Sequence, residues 1–219
     1  MRIDLHVHSL LSDGEVLPSE LAKRAEEKGH VAIAITDHVD GSNLETIVPQ
    51  VVRAAEELNR YMRIKVIPGV ELTHLPPRSI RRMAKLAREL GAAVVVVHGE
   101  TPVEPVAKGT NEAALACGDV DILAHPGFLT LRQAERARDS GVYLELTSRR
   151  GHCLANGWVA KVALSAGAML LVNTDAHAPE ELLTFEEAMD VAMGAGLDRN
   201  ESRKVVVKNP KNFIRELGW

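Results

Sequence analysis

Arg2-Ile3-Asp4-Leu5-His6-Val7-His8 is an apolar-rich run with two histidines one residue apart, closed by the turn signal Ser12-Asp13-Gly14 and followed by a helical pattern. Strand alternation sends residues i and i+2 to one side, so His6 and His8 share a face while Leu5 and Val7 pack the other way. Alone, a His-x-His pair reads equally well as a metal site or as polar surface on an edge strand. The choice depends on whether the later strands also end in His, Asp or Glu.

Working outward, residues 18–28 open with a proline in the first turn and stop at Gly29, as a helix does. Residues 31–36 form a short apolar run of the kind buried on both faces of a parallel sheet, and they deliver Asp37 and His38. Helical spacing of apolar residues then runs from 44 to 61. Further strands are expected over 65–70, 92–97, 120–124, 142–146 and 168–172. They deliver Glu71, His98, His125, the loop 147–152, and Asp175-Ala176-His177. Helices are expected over 76–90, 131–140, 158–165, 179–195 and 199–217, the last interrupted near Pro210, with short helices between 100 and 118. Strand and helix alternate about seven times without a linker, which implies one α/β domain over residues 1–219 with a parallel sheet. Only a closed or nearly closed barrel would gather His6, His8, His38, Glu71, His98, His125, Asp175 and His177 from so many strand ends.

The balance of 26 Lys plus Arg against 30 Asp plus Glu gives a net charge of -4, so no global basic field recruits nucleic acid, which is expected only as a nucleotide substrate. Two cysteines, Cys117 and Cys153, offer neither a thiolate zinc site nor a disulfide framework and suit a reducing compartment. Apolar runs such as 91–97 are too short to span a bilayer, and the chain enters its first strand without a secretory leader pattern; the expected location is cytoplasmic. The basic run through Arg78, Arg81, Arg82, Lys85 and Arg88 reads as a solvated helix face and leaves a homo-oligomer open.

Of nine histidines, those at 6, 8, 38, 98, 125 and 177 stand at strand ends, leaving His30, His74 and His152. Imidazoles and carboxylates without thiolates suit Zn, Mn or Fe, and this many ligands imply more than one ion. Two or three divalent ions sharing a carboxylate, naturally Glu71, can clamp a phosphoryl oxygen and turn a bridging water into hydroxide near neutral pH. Arg149 and Arg150, after the sixth strand, could meet a phosphate bidentately. His152 is a candidate acid or substrate contact, as is His74, while His30 reads as surface. Asp37 is expected to orient a ligand from behind, with Glu145 and Asn173 near the site.

His6-Val7-His8 with Ser12-Asp13-Gly14, Thr36-Asp37-His38, Gly69-Val70-Glu71, His98, Ala124-His125-Pro126 and Thr174-Asp175-Ala176-His177 together resemble the successive motifs of the PHP superfamily, named for polymerases and histidinol phosphatase. The resemblance implies a distorted seven-stranded (β/α)7 TIM-like barrel with a trinuclear site at its carboxyl-end face. It implies one ion on His6, His8, Glu71 and Asp175, a second on Glu71, His98 and His125, and a third on His38, His177 and Asp13. Some phosphatase members carry a histidine near the position of Asp13. A stand-alone member implies a metal-dependent phosphoric monoester hydrolase acting through a metal-bridging hydroxide, with Glu71, Asp175 and His177 at the reaction; Arg149 and His152 join them as catalytic candidates from their place in the loop after the sixth strand. The substrate would be a small phosphorylated molecule, histidinol phosphate being a candidate. The alternatives are a nucleotide or oligonucleotide phosphatase, an amidohydrolase-like carbonyl hydrolase using the same hydroxide, and a non-catalytic PHP module, against which the full ligand set stands.

Overall fold

The computed structural model describes residues 1–219. In chain order the strands are β1 (Arg2–Val7), β2 (His30–Ile35), the two-residue β3 (His38–Val39), β4 (Lys65–Leu72), β5 (Val94–His98), β6 (Ile122–Ala124), β7 (Tyr143–Thr147) and β8 (Leu170–Asn173). All pair in parallel in the order β1-β2-β4-β5-β6-β7-β8, with β3 beside the end of β4. Helices α1 (Pro18–Glu27), α2 (Leu44–Tyr61), α3 (Ile80–Glu89), α4 (Thr110–Leu115), α5 (Leu131–Ser140) and α6 (Asn156–Ala166) provide the crossovers. The result is the expected seven-stranded barrel.

The barrel closes between β8 and β1 mainly through side chains rather than a regular ladder. Two backbone bonds cross the seam at its upper end, Asp175 N to His6 O at 2.9 Å and His8 N to Ala176 O at 2.8 Å. Below them Leu5 N donates to Asn173 Oδ1 (3.0 Å) and Thr174 N to Asp4 Oδ1 (3.2 Å), while Arg2 Nη1 reaches Val172 O (2.8 Å). Arg2 Nη2 also pairs with Asp4 Oδ2 at 2.9 Å, both side chains being wholly buried. Closure thus rests on polar groups that a hydrophobic pattern does not reveal.

A bulge in β1 aims the histidines. Asp4 pairs with Ile33 but Val7 with Ile35, so β1 carries one residue more than β2 across this interval. Such an extra residue bends the strand and re-aims side chains. Ile3 and Leu5 consequently join the inner apolar cluster with Ala32, Ala34, Ile67, Val94 and Val96, whereas Val7 joins the outer one with Ile33 and Ile35. The expectation that Leu5 and Val7 pack alike is corrected. His6 and His8 do share a side, as the alternation requires, since both meet Asp175.

The outer cluster of 52 buried residues lies between strands and helices, and the inner one of 12 fills the barrel. At the amino end the inner cluster is closed by α9 (Asn209–Glu216), whose Phe213 meets Tyr143 edge-on at 5.4 Å. The carboxyl end is therefore the open, polar one. Before α9 come α7 (Phe185–Gly194) and α8 (Arg199–Arg203). The helix expected over 179–195 is divided into a short 3-10 turn (Pro179–Glu181) and α7, because Thr184 and Glu187 form a capping box that starts α7 afresh. Near Pro210 the chain stays helical instead of breaking. A π-turn at Lys204–Lys208 absorbs the bond that proline cannot donate.

His30 is not on the surface as expected but 3% exposed, with Nδ1 donating to Ala25 O at 3.0 Å and Nε2 buried without a partner. Burial pushes its pKa down to about 4. Its ordinary value is near 6.5, so between these two pH values the unfolded chain takes up a proton that the folded chain refuses, and stability falls as pH falls. Urea denaturation should show the native chain losing about 2 kcal/mol more than His30→Asn between pH 7 and pH 4. Equal losses would mean that His30 titrates in the fold as it does in the unfolded chain.

Candidate metal centre

Six strands bring their ends to one polar cavity of about 520 Å³, lined by 12 residues none of which is hydrophobic. Two glycines shape its walls. A Cβ at Gly14 would lie 2.5 Å from His8 O, so glycine lets the Ser12-Asp13 turn fold back over the strand end. Gly127, at φ +66°, leaves room for Glu100 O, which a Cβ would meet at 2.1 Å. Asp37 fixes the first of these turns, accepting from the backbone and hydroxyl of both Ser9 and Ser12 at 2.7–3.2 Å. It thereby supports Asp13 from behind.

At the centre Glu71 is fully buried, with Oε1 3.3 Å from His6 Nε2 and 3.6 Å from His125 Nε2, and Oε2 2.7 Å from His38 Nδ1 and 3.8 Å from His8 Nε2. Asp175 lies opposite, 3.0 Å from His8 Nε2 and 3.6 Å from both His6 Nε2 and His125 Nε2. Asp13 Oδ1 faces His38 Nε2 at 3.6 Å and His177 Nε2 at 3.3 Å. The only non-glycine residues with positive φ are His74, His125 and Asp175, all at this face. Backbone strain of that kind is concentrated where side-chain placement matters.

Tautomers can be read from the bonds. His98 Nδ1 meets Gly99 O at 3.2 Å and His177 Nδ1 meets Asp175 O at 2.9 Å. A carbonyl only accepts, so each Nδ1 carries a proton, and Nε2 is the nitrogen each ring would offer to a metal ion. His6 is oriented in the same way by Glu145, whose Oε1 lies 2.8 Å from Nδ1 and is itself held by Asn173 Nδ2. The Nε2 atoms nevertheless face carboxylates. Lone pairs at such distances are compatible only with an intervening cation, a proton or a metal ion. His6 Nε2, both ring nitrogens of His8, Glu71 Oε1 and His125 Nδ1 are moreover buried without hydrogen-bond partners, a costly state unless other ligands complete them. The donor set fits borderline divalent ions.

Electrostatics divide the histidines: against the cost of burial, neighbouring carboxylates raise His6 and His98, and His38 to about 9, so protons compete with a metal ion there. Burial, together with neighbouring imidazoles, holds His8 and His125 well below the ordinary histidine pKa, leaving them neutral as metal ligation requires. Burial raises the Asp175 pKa to about 7. Burial would also raise Glu71, but His6 and His38 hold it well below the carboxylate range.

Donor atoms within 4.8 Å of one another form the groups His6-His8-Asp175, His6-Glu71-His125, His8-Asp13-His38-His177, His98-His125-His152 and His74-His98-Glu104. The nine residues expected as ligands thus come together. They overlap more than the implied allotment, since His8 reaches the Asp13 group and His125 the His6 group. His152 lies among them rather than apart. Arg149 lines the cavity, with Nη1 on both oxygens of Glu181 at 2.9 and 2.8 Å, whereas Arg150 is exposed and does not line it. Sequence reading missed Glu181, which also accepts His177 N at 2.7 Å, and Glu104, which lies against three histidines. Neither stands at a strand end.

A PHP domain family model matches residues 4–98. The chain is similar to an uncharacterized protein of Methanocaldococcus jannaschii, 50% identical over 218 residues, 99% of this chain and 100% of that one. It is 30% identical over 198 residues to DNA polymerase/3'-5' exonuclease PolX of Bacillus subtilis, covering 82% of this chain and only 35% of the polymerase. The protein named probable phosphatase YcdX of Escherichia coli is 26% identical over 242 residues, 99% of this chain and 95% of its own length. Among solved structures, a chain from an archaeal ribonuclease P with mature tRNA superposes with a TM-score of 0.73 at 17% identity, over 97% of this chain and 90% of that one, a likeness of fold.

Proposed function

This chain belongs to the PHP superfamily, and from that premise we propose that it is a metal-dependent phosphoesterase hydrolysing a small phosphomonoester. The observation that carries the reading is the convergence of imidazole nitrogens and carboxylates at one open, wholly polar cavity, several of them buried and unpartnered. His6, His8, Asp13, His38, Glu71, His98, His125, Asp175 and His177 would hold two or three divalent ions, of the Zn, Mn or Fe class, with Glu71 shared. Such ions supply positive charge for the phosphoryl oxygens and acidify a water to near-neutral pKa.

The chain's own groups do the rest. Arg149 uses Nη1 on Glu181 and keeps Nη2 and Nε for a phosphate oxygen, and Glu181, which also holds His177 N, fixes the guanidinium relative to the cluster. Glu145 keeps His6 in the tautomer that leaves Nε2 free. A cavity without an apolar wall favours a hydrophilic, charged substrate over an apolar amide or lactone, and histidinol phosphate remains one candidate. A second reading, a nucleotide or oligonucleotide as the phosphoester, is favoured by the similarity to the PolX polymerase, although the chain spans about a third of that protein.

Metal analysis and p-nitrophenyl phosphate hydrolysis with added Mn or Zn, on the native chain and on His125→Ala, test the proposal. Two or more ions per chain, with fewer ions in the variant and activity down about 100-fold or more, are expected. A native chain that binds no divalent ion would overturn it. A metal-loaded chain that cleaves nucleotides but not other monoesters would move the assignment to the second reading.

A further inference from the structure

One carboxylate at the cavity belongs to none of the sequence motifs. Glu104, half-exposed in the loop between β5 and α4, is met by imidazoles from three separate strand-end loops. His98 Nε2 lies 3.0 Å and His74 Nε2 3.2 Å from its Oε2, and His152 Nε2 lies 3.2 Å from its Oε1. Because Nδ1 of His98 donates to Gly99 O, its Nε2 is the atom turned toward Glu104, and either a proton or a metal ion stands between them. His152 is 7% exposed and its Nδ1 has no partner, so no hydrogen bond on the far side accounts for its inward position.

The segment bearing Glu104 is held in place. Glu100 donates its backbone N–H to Asn111 Oδ1, and its side chain accepts from Gly109 N and Asn111 N, which ties the two ends of the loop together. Val103 lies against Gly151, where an added Cβ would meet its methyls at 3.3 Å, so the residue before Glu104 packs on the residue before His152. Two loops far apart in sequence thus present a carboxylate and an imidazole side by side. His98, His125 and His152 already place donor nitrogens within 4.8 Å of one another.

Resting on the metal-dependent reading above, we propose that Glu104 and His152 are two further ligands of the divalent ion shared by His98 and His125. Imidazole and carboxylate donors are the set that a zinc-class ion accepts, and the carboxylate adds charge that neutral imidazoles lack.

Zn titration of the metal-stripped chain against a competing chromogenic chelator, paired with the visible spectrum of the Co-loaded protein, tests this on native chain, Glu104→Gln and His152→Asn. Both substitutions nearly preserve shape, and Glu104 lies in an exposed loop, so folding is not at stake for that variant. The expected result is that one class of ion weakens about 10- to 100-fold in each variant, with a changed Co absorption band, while the remaining ions keep their affinities. Unchanged affinities and an unchanged Co spectrum in Glu104→Gln overturn the proposal even if the native chain is a metallophosphatase. A native chain that takes up no Zn or Co removes the reading beneath it, a failure visible before any variant is made.

Discussion

Glu71→Gln should lose phosphatase activity by about 10³-fold or more and release more than one ion per chain, although the substitution changes a single oxygen to an amide nitrogen. Glu71 has no exposed surface, and its two oxygens are divided among His6, His125, His38 and His8 at 2.7–3.8 Å. An amide there halves the acceptor capacity and places N–H donors where positive charge has to be neutralised. A peripheral ligand would cost one ion; a shared one should cost at least two. Metal content by mass spectrometry after gel filtration, with the activity assay alongside, checks both halves. If Glu71→Gln keeps its full complement of ions, Glu71 is not shared between positions.

The site was legible because its residues occupy one topological position. A parallel strand buried on both faces reads as an unbroken apolar run, and the first few polar residues after it must lie at the barrel rim, so His38, Glu71, His98, His125 and Asp175 could be placed from period and punctuation alone. Glu104 and Glu181 carry no such mark. Each is one glutamate among many in a loop or short turn, and only the tertiary fold shows what it faces. The bulge in β1 was equally hidden, because an inserted residue changes register against a neighbour without changing the local pattern. The Thr184 and Glu187 capping box, in contrast, is plainly readable and would have divided the helix expected over 179–195. His30 shows the limit of residue type as a guide. A histidine beside a helix-ending glycine reads as surface, yet its place at the start of β2 beside Arg2 buries it.

The seam between β8 and β1 is where the largest loss of stability is expected. Asp4→Ala would leave the Arg2 guanidinium, which has no exposed surface, without its carboxylate partner, and would also remove the acceptor for His6 N and Thr174 N. An uncompensated charge at a buried site costs about 3–5 kcal/mol. Because no regular ladder joins β8 to β1 below Asp175, the loss falls on the contacts that hold the barrel shut. His6 lies two residues along the same strand, so metal affinity should weaken with stability. Replacing both partners, as in Arg2→Met with Asp4→Ala, takes away the stranded charge together with its partner. The double variant should therefore be more stable than Asp4→Ala alone, with a coupling of about 1–3 kcal/mol in a urea-denaturation cycle. Were Asp4→Ala to lie within about 1 kcal/mol of the native chain, the seam would be held by its backbone bonds and by Asn173, and the buried ion pair would be dispensable.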